Sequence, residues 1–476
     1  MPGSPLHSGP PGSPGPLGSP VHARPPGPAD DLDLADIRVD PLAFLTTLAA
    51  EFGDLCSHRT RGEVVWFVNR PDLVRHILKD NYTAWTKAGT PDDFMLTPLL
   101  GKGLLTSDGP AWERQRRLCA PAFRPRRVEE FDTLMTDAAV DLADAWERAA
   151  EEGRTIRVDH DFTALTLRIV ADALLGADLA AAGQGFGRAV DDINRFIGHF
   201  DGEPGTPTVA DADLALLRRR YTAAQTFLAR VVGMLVAARR YTGPPTDRPA
   251  DLLDAMLGAR DAHGDALSDR ELHDQVLTMV MAGHETTAKA LSWTVHLLDR
   301  HPEAAAAVRA ELAGVLAGRP PRAADLPRLE LTRRCLEEAI RLYPPVWLIS
   351  RRAAADDVLD GRHVPEGTLV CISPWTLHRH PAVWEDPELF RPERFTATAR
   401  AARPAHAYVP FGGGPRVCIG QSFALTEAVL VLATVLQRLE LRGVAGHPVV
   451  PEALVTLRPR DGLLMTAHPL TTGGRP

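Results

Sequence analysis

A chain of 476 residues, 45% hydrophobic and 24% charged, has ample apolar material for one or more packed cores. Its formal net charge of -8 argues against nucleic acid as a general partner. Five scattered cysteines with no Cys-x-x-Cys pair argue against a disulfide framework or zinc ribbon and fit a reducing cytoplasm. The four lysines (Lys79, Lys87, Lys102, Lys289) among 53 basic residues reflect a GC-rich coding bias rather than function.

Met1–Pro28 holds 16 Pro or Gly and no apolar block, so it is no signal peptide; residues 1–30 are expected to form a disordered leader ahead of one domain over 31–476. A short helix is predicted at Pro41–Phe52, a strand at Glu63–Val68 and a proline-started helix at Pro71–Leu78. Thr90–Gly103 and Asp201–Val209 read as loops. Helical periodicity marks Ala111–Leu118, Val128–Ala150, Phe162–Leu175, Phe186–Phe200, Asp211–Tyr241 and Pro249–Leu257. Two long helices follow at Asp269–Arg300 and Pro302–Ala317, and short β segments at Arg362–Val364, Leu369–Ile372 and Val455–Leu464. Pro404–Pro415 reads as extended loop, and Gln421–Leu439 as an apolar helix. No apolar run approaches the roughly 20 residues needed to span a bilayer, and no internal repeat is visible. The fold class is mainly α with a small β part, in one large domain.

Ser268-Asp-Arg-Glu271 is a capping box at the start of the longest helix, which at 1.5 Å per residue extends on the order of 48 Å, enough to cross a domain. One arc collects Leu272, Val276, Met279, Ala282, Gly283, Thr286, Ala290, Trp293 and Leu297. Thr286 interrupts that apolar face next to Glu285. A mid-helix threonine commonly bonds back to the carbonyl four residues earlier, here Ala282; the other reading is a functional hydroxyl in a dry core.

Phe411-Gly-Gly-Gly-Pro-Arg-Val-Cys-Ile-Gly420 sets Cys418 on a glycine-rich turn just before a helix. There, backbone N–H groups and the positive helix end favour a thiolate able to bind metal. A buried structural cysteine is the alternative. The pattern Phe-x-x-Gly-x-Arg-x-Cys-x-Gly resembles the haem-binding signature of the cytochrome P450 family. Ala282-Gly283-His284-Glu285-Thr286-Thr287 resembles that family's oxygen-activation motif, Glu338-x-x-Arg341 with Arg394 in Pro392-Glu-Arg-Phe395 its ionic cluster, and Trp112-x-x-x-Arg116 its propionate-contacting helix.

The resemblance covers about Pro41–Pro469 and implies the P450 fold, with haem b (iron protoporphyrin IX) between the long helix and the cysteine-loop helix. It implies Cys418 as axial iron ligand, with Phe411 packing against the cysteine, Gly412 and Gly414 in the cofactor-binding loop, and Trp112, Arg116, Arg351 and Arg416 holding the propionates. Thr286 and Glu285 would relay protons, loosening the helix beside the haem, with His284 surface-facing or structural. Glu338, Arg341 and Arg394 would form a buried brace. The implied reaction inserts one oxygen atom of O2 into a hydrophobic small molecule such as a terpene or fatty acyl chain. Phe94, Met95, Leu96, Ala282, Gly283, Val346, Trp347 and Leu348 would line its pocket. With no Gly-x-Gly-x-x-Gly fingerprint and no flavin domain, electrons would come from a separate ferredoxin or flavodoxin-type donor and its reductase. The basic stretch Arg114, Arg116, Arg117, Arg124, Arg126, Arg127 would be the docking face, or else a solvated helix face. A cytoplasmic monomer is expected. The alternatives are a peroxygenase or isomerase needing no donor, and a non-catalytic haem sensor; Gly420-Gln-Ser-Phe-Ala424 is only a partial nucleophile elbow.

Overall fold

A computed structural model of the chain describes residues 24–176, 211–243 and 250–470, with scattered positions between 185 and 196. The helix predicted at Phe186–Phe200 is only partly among them, and the loop Asp201–Val209 and most of the expected leader lie outside them. Arg24 to Pro28 are described. The carbonyls of Pro25 and Pro26 accept from Ser57, and Arg24 Nε donates to its hydroxyl at 2.9 Å, so the described fold begins before residue 30.

The central helix runs unbroken over Asp269–Arg300, capped as the sequence dictates by Ser268 and Glu271. It is sandwiched among the helices Val158–Leu175, Asp211–Thr242, Glu330–Leu342 and Gln421–Leu436. Leu272, Val276, Met279, Ala290, Trp293 and Leu297 of its apolar arc are all buried, the aliphatic side chains larger than alanine each worth on the order of 2 kcal/mol of hydrophobic transfer. The helix Asp211–Thr242 contains a stretch, Ala215–Thr242, long and apolar enough to cross a membrane. It is nonetheless stitched into the fold: Arg239 is buried and pairs with Asp251 and Asp254 at 2.8 and 2.5 Å. Only 28% of that stretch is buried, with Leu216, Met234 and Tyr241 exposed.

A six-stranded sheet forms the second layer, in the order Asp31–Leu32, Leu55–Thr60, Glu63–Val68, Leu369–Ile372, Ile349–Ala353, Trp85–Thr86. Glu63–Val68 runs antiparallel to Leu55–Thr60 and parallel to Leu369–Ile372. The predicted strand Val455–Leu464 is two strands, Leu457–Pro459 and Leu464–Pro469, because Asp461-Gly462 turns the chain between them. The first pairs with Pro451–Ala453 in a hairpin whose tip is Leu454–Thr456. The predicted helix Val128–Ala150 is broken at Glu130–Phe131, where Asp132 starts a new helix and accepts from Ala323 N–H. The expected loop Thr90–Gly103 instead contains the helix Pro91–Leu100, started by the Thr90 cap, proline in the first turn and Asp92 and Asp93.

His58, 8% exposed on the strand Leu55–Thr60, is pushed down from its ordinary 6.5 to about 4, first by burial and then by the Arg24 charge. Below pH 6.5 the unfolded chain binds a proton there that the fold refuses. Stability is therefore full above that pH and is lost as pH falls toward 4. Comparing unfolding free energies at pH 7 and 4.5, the loss is expected to be about 2 kcal/mol smaller in His58→Gln than in the wild type; equal losses would contradict this.

Candidate active site

Cys418 follows a one-turn helix, Gly414–Arg416, that lies against the turn His76–Asp80. Gly414 has φ +63°, and a Cβ there would sit 1.9 Å from the Leu78 carbonyl oxygen, so no other residue fits without moving the turn. Gly412 is also left-handed at +73°. The Cys418 N–H donates to the Phe411 carbonyl at 2.9 Å, closing the loop. Although densely surrounded by protein, the cysteine keeps accessible surface, so it lines an internal hollow. Burial raises the thiol above its ordinary value, while the N–H groups of Gly420 and Gln421 and the charges of Arg116 and Lys87 pull the other way.

Four cations converge on this hollow. Arg351 is buried, and burial first, then Arg416, lowers it to about 10. Lys87 falls to about 7 by burial and the charges of Arg351 and Arg416, although Nζ donates to the Leu105 carbonyl at 3.1 Å. Arg116, half-buried, is lowered by burial. Neither its guanidinium nor the Trp112 indole N–H has a hydrogen-bond partner among the described residues. Arg416 stacks 4.3 Å above the Trp112 ring, donates to the Ser107 carbonyl at 3.0 Å and pairs with Asp108. Thus Arg416 already has protein partners of its own. Burial works to raise Asp108, but the Thr86 hydroxyl and Arg416 hold it below the usual carboxylate range. Burial raises Asp92, the second acid near the group. Four bases against two acids leave an excess of positive charge suited to a dianionic group. With an inward-facing thiol and unpartnered donors, this set fits an iron porphyrin bearing two carboxylates.

The brace under the cysteine loop is more continuous than motif spacing indicated. Arg341 and Glu338, both 0% exposed, form a two-pronged ion pair at 2.7 and 2.8 Å. Arg341 also donates to the carbonyls of His378 (2.9 Å) and Pro387 (2.7 Å). His378 Nε2 accepts the Val409 N–H at 2.9 Å, two residues before Phe411, which in turn receives Cys418. Accepting at Nε2 requires a neutral ring, and burial with the nearby Arg341 charge lowers His378 well below 6.5. Arg394 stands at the edge, Nε 3.4 Å from Glu338, its guanidinium spent mainly on the carbonyls of Glu385 and Asp386.

On the central helix, Ala282 is exposed and Gly283 and Thr286 are half-buried between the buried Met279 and Ala290, so this stretch faces open space. The Thr286 hydroxyl donates to the Ala282 carbonyl at 3.0 Å. Back-bonding leaves its lone pairs free to accept. The helix continues unbroken through this position. Glu285 accepts from the Thr456 hydroxyl at 3.0 Å. His284 is buried, not surface-facing, and Nδ1 bonds the Val280 carbonyl at 2.7 Å. Gly283 departs from the expected pocket: a Cβ there would meet Val170 Cγ2 at 3.1 Å, so it serves close contact with the helix Val158–Leu175. Trp347 and Leu348 also depart, packing with Leu45, Leu48, Cys56 and Phe67. Met95 and Leu96 pack on the main core, while Phe94 (53%) and Val346 (38%) stay exposed. In the basic stretch, Arg114 is committed to Asp261 and Glu271 and Arg127 to Glu130 and the Ala250 carbonyl; Arg117, Arg124 and Arg126 remain exposed.

An accessible thiol on a glycine turn with a surplus of cations around it is the setting of a haem-thiolate centre, and this chain belongs to the cytochrome P450 family, whose profile matches residues 34–465. Its cofactor is a haem iron and its reaction a P450 monooxygenation. Cyclooctatin synthase of Streptomyces melanosporofaciens is 37% identical over 437 residues, covering 90% of each chain. Cyclooctat-9-en-7-ol 5-monooxygenase of the same organism is 36% identical, covering 85% of this chain and 86% of its own. Pentalenene oxygenase of Streptomyces avermitilis is 35% identical, covering 88% and 90%. The crystal structure of the cytochrome P450DA heme domain superposes with a TM-score of 0.84 at 29% identity, covering 95% of this chain and 98% of that one.

Proposed function

We propose that this enzyme hydroxylates a terpene or comparably hydrophobic metabolite, using haem b held by Cys418 and electrons from a separate ferredoxin or flavodoxin and its reductase. One oxygen atom of O2 enters the substrate C–H bond, and the other leaves as water with two electrons and two protons. The observation that carries the reading is the inward-facing Cys418 thiol with the Gly420 and Gln421 N–H groups and the Arg116 and Lys87 charges around it. The names of the three Streptomyces relatives support the substrate class.

When bound, the haem supplies an iron at which dioxygen is reduced. The chain's share is positioning and protons. Lys87, Arg116, Arg351 and Arg416, with the Trp112 N–H, hold the two carboxylates, and the Gly420 and Gln421 N–H groups keep charge on Sγ. Thr286 Oγ1 offers its lone pairs inside the hollow, and the Glu285 carboxylate, one residue away and half-buried, brings protons in from solvent. Ala282 leaves room on the helix face, and Phe94 and Val346 present apolar surface to an apolar substrate. The exposed Arg117, Arg124 and Arg126 suit an acidic electron donor. A cytoplasmic monomer agrees with this scheme.

The test is the carbon monoxide difference spectrum of the reduced protein, followed by turnover of pentalenene with NADPH, ferredoxin and reductase against peroxide alone. A thiolate-type Soret band and donor-dependent product are expected. A band of the histidine-ligated type would remove Cys418 from its role, and turnover with peroxide alone would indicate a peroxygenase.

A further inference from the structure

The hairpin Pro451–Ala453/Leu457–Pro459 carries at its tip a buried threonine that no sequence motif marks. Its contacts run two ways. Toward the central helix, Thr456 Oγ1 donates to Glu285 Oε1 at 3.0 Å and the Leu457 carbonyl accepts Trp293 Nε1–H at 3.1 Å. Toward the segment after the Glu338–Arg341 helix, the Leu454 carbonyl accepts Trp347 Nε1–H at 2.7 Å and the Leu457 N–H donates to the Pro345 carbonyl at 3.0 Å. The tip therefore bridges Pro345–Trp347, beside the exposed Val346, and the acid that precedes Thr286.

We propose that Thr456 is a positioning residue for Glu285, fixing where its carboxylate rests so that the hairpin ties the Pro345–Trp347 segment to proton delivery. This rests on the proton role given to Glu285 above. A carboxylate on a half-buried side chain has several rotamers, and a charge-assisted hydrogen bond from a side chain that is itself buried selects one of them. Any shift of the 345–347 segment is transmitted through the Trp347 and Leu457 bonds to the same hydroxyl.

Amide hydrogen exchange tests the link without reference to turnover. In Thr456→Val, exchange of Ala282–Ala290 is expected to accelerate about tenfold, and in Glu285→Ala that of Leu454–Leu457 by a similar factor, as loss of one charged hydrogen bond implies. Thr456→Ser should restore the wild-type pattern. In the holoenzyme reduced by NADPH, ferredoxin and reductase, Thr456→Val should raise the share of electrons lost as hydrogen peroxide, and Thr456→Ser should return it. On a Glu285→Ala background Thr456→Val should change nothing further. Unchanged exchange across the contact overturns the proposal, as does an equal effect of Thr456→Val with and without Glu285, which would make the residue merely structural. Coupled exchange with no effect of Glu285→Ala on peroxide would instead refute the proton role of Glu285, and the positioning role with it.

Discussion

Arg341→Ala is expected to lose about 3–5 kcal/mol of stability and to accumulate little cofactor-loaded protein. The reason is the burial of both partners at 0% exposure: removing the guanidinium strands the Glu338 carboxylate in the core. It also strips donors from the carbonyls of His378, Pro387 and Leu389 at once. Each unpaired buried group adds its own desolvation cost. Arg341→Lys is expected to rescue poorly, because a point charge cannot reproduce the two-pronged contact with Glu338 while reaching three carbonyls. Denaturant unfolding and the haem-to-protein absorbance ratio of purified protein measure both effects. Wild-type midpoint and haem content in Arg341→Ala would refute the brace. The effect reaches Cys418 through His378, Val409 and Phe411, so a weakened brace should show as lost cofactor before lost helix content.

Thr286→Val is expected to lower product formation about 10²-fold, within the usual range for a general acid–base group, with the fold intact. The structural cost is small because the hydroxyl's protein partner is the Ala282 carbonyl, already engaged within the helix. Thr286→Ser should keep most of the activity, since it restores an oxygen at the same place. Product and peroxide per NADPH with a terpene substrate separate the outcomes: product should fall while peroxide rises. A Thr286→Val enzyme with wild-type product yield would assign the hydroxyl to helix structure alone.

Local signals carried much of this molecule. The capping box at Ser268 and the proline after His301 bound the central helix to the residue, and the arc from Leu272 to Leu297 is buried apart from its middle. Ala282 and Thr286 sit there. The Cys418 turn, the Glu338–Arg341 pair and the Trp112 helix were readable because each motif lies within a few residues. The groups that complete them were not. Lys87, Asp92, Asp108, His378 and Thr456 reach the site across long separations in sequence, and nothing local distinguishes them from solvated side chains. The helix Pro91–Leu100 was missed although Thr90-Pro-Asp-Asp is a good start signal, because the glycines and proline that bound the stretch suggested a loop. Gly283 was misassigned because smallness serves an open pocket and a tight helix crossing equally well, and only the Val170 contact tells them apart.

The contact between Arg416 and the Ser107 carbonyl joins residues 309 positions apart. With Lys87 and Arg116 on one side and Arg416 and Cys418 on the other, the cofactor cradle is a clasp between early and late parts of the chain. During synthesis its first jaw emerges long before the second. The early cations then have no thiol to face until the final quarter of the polypeptide supplies the cysteine turn. Haem capture is thereby made a closing event of biogenesis, and a ribosome stalled before Cys418 releases a chain with half a cradle and nothing to ligate iron.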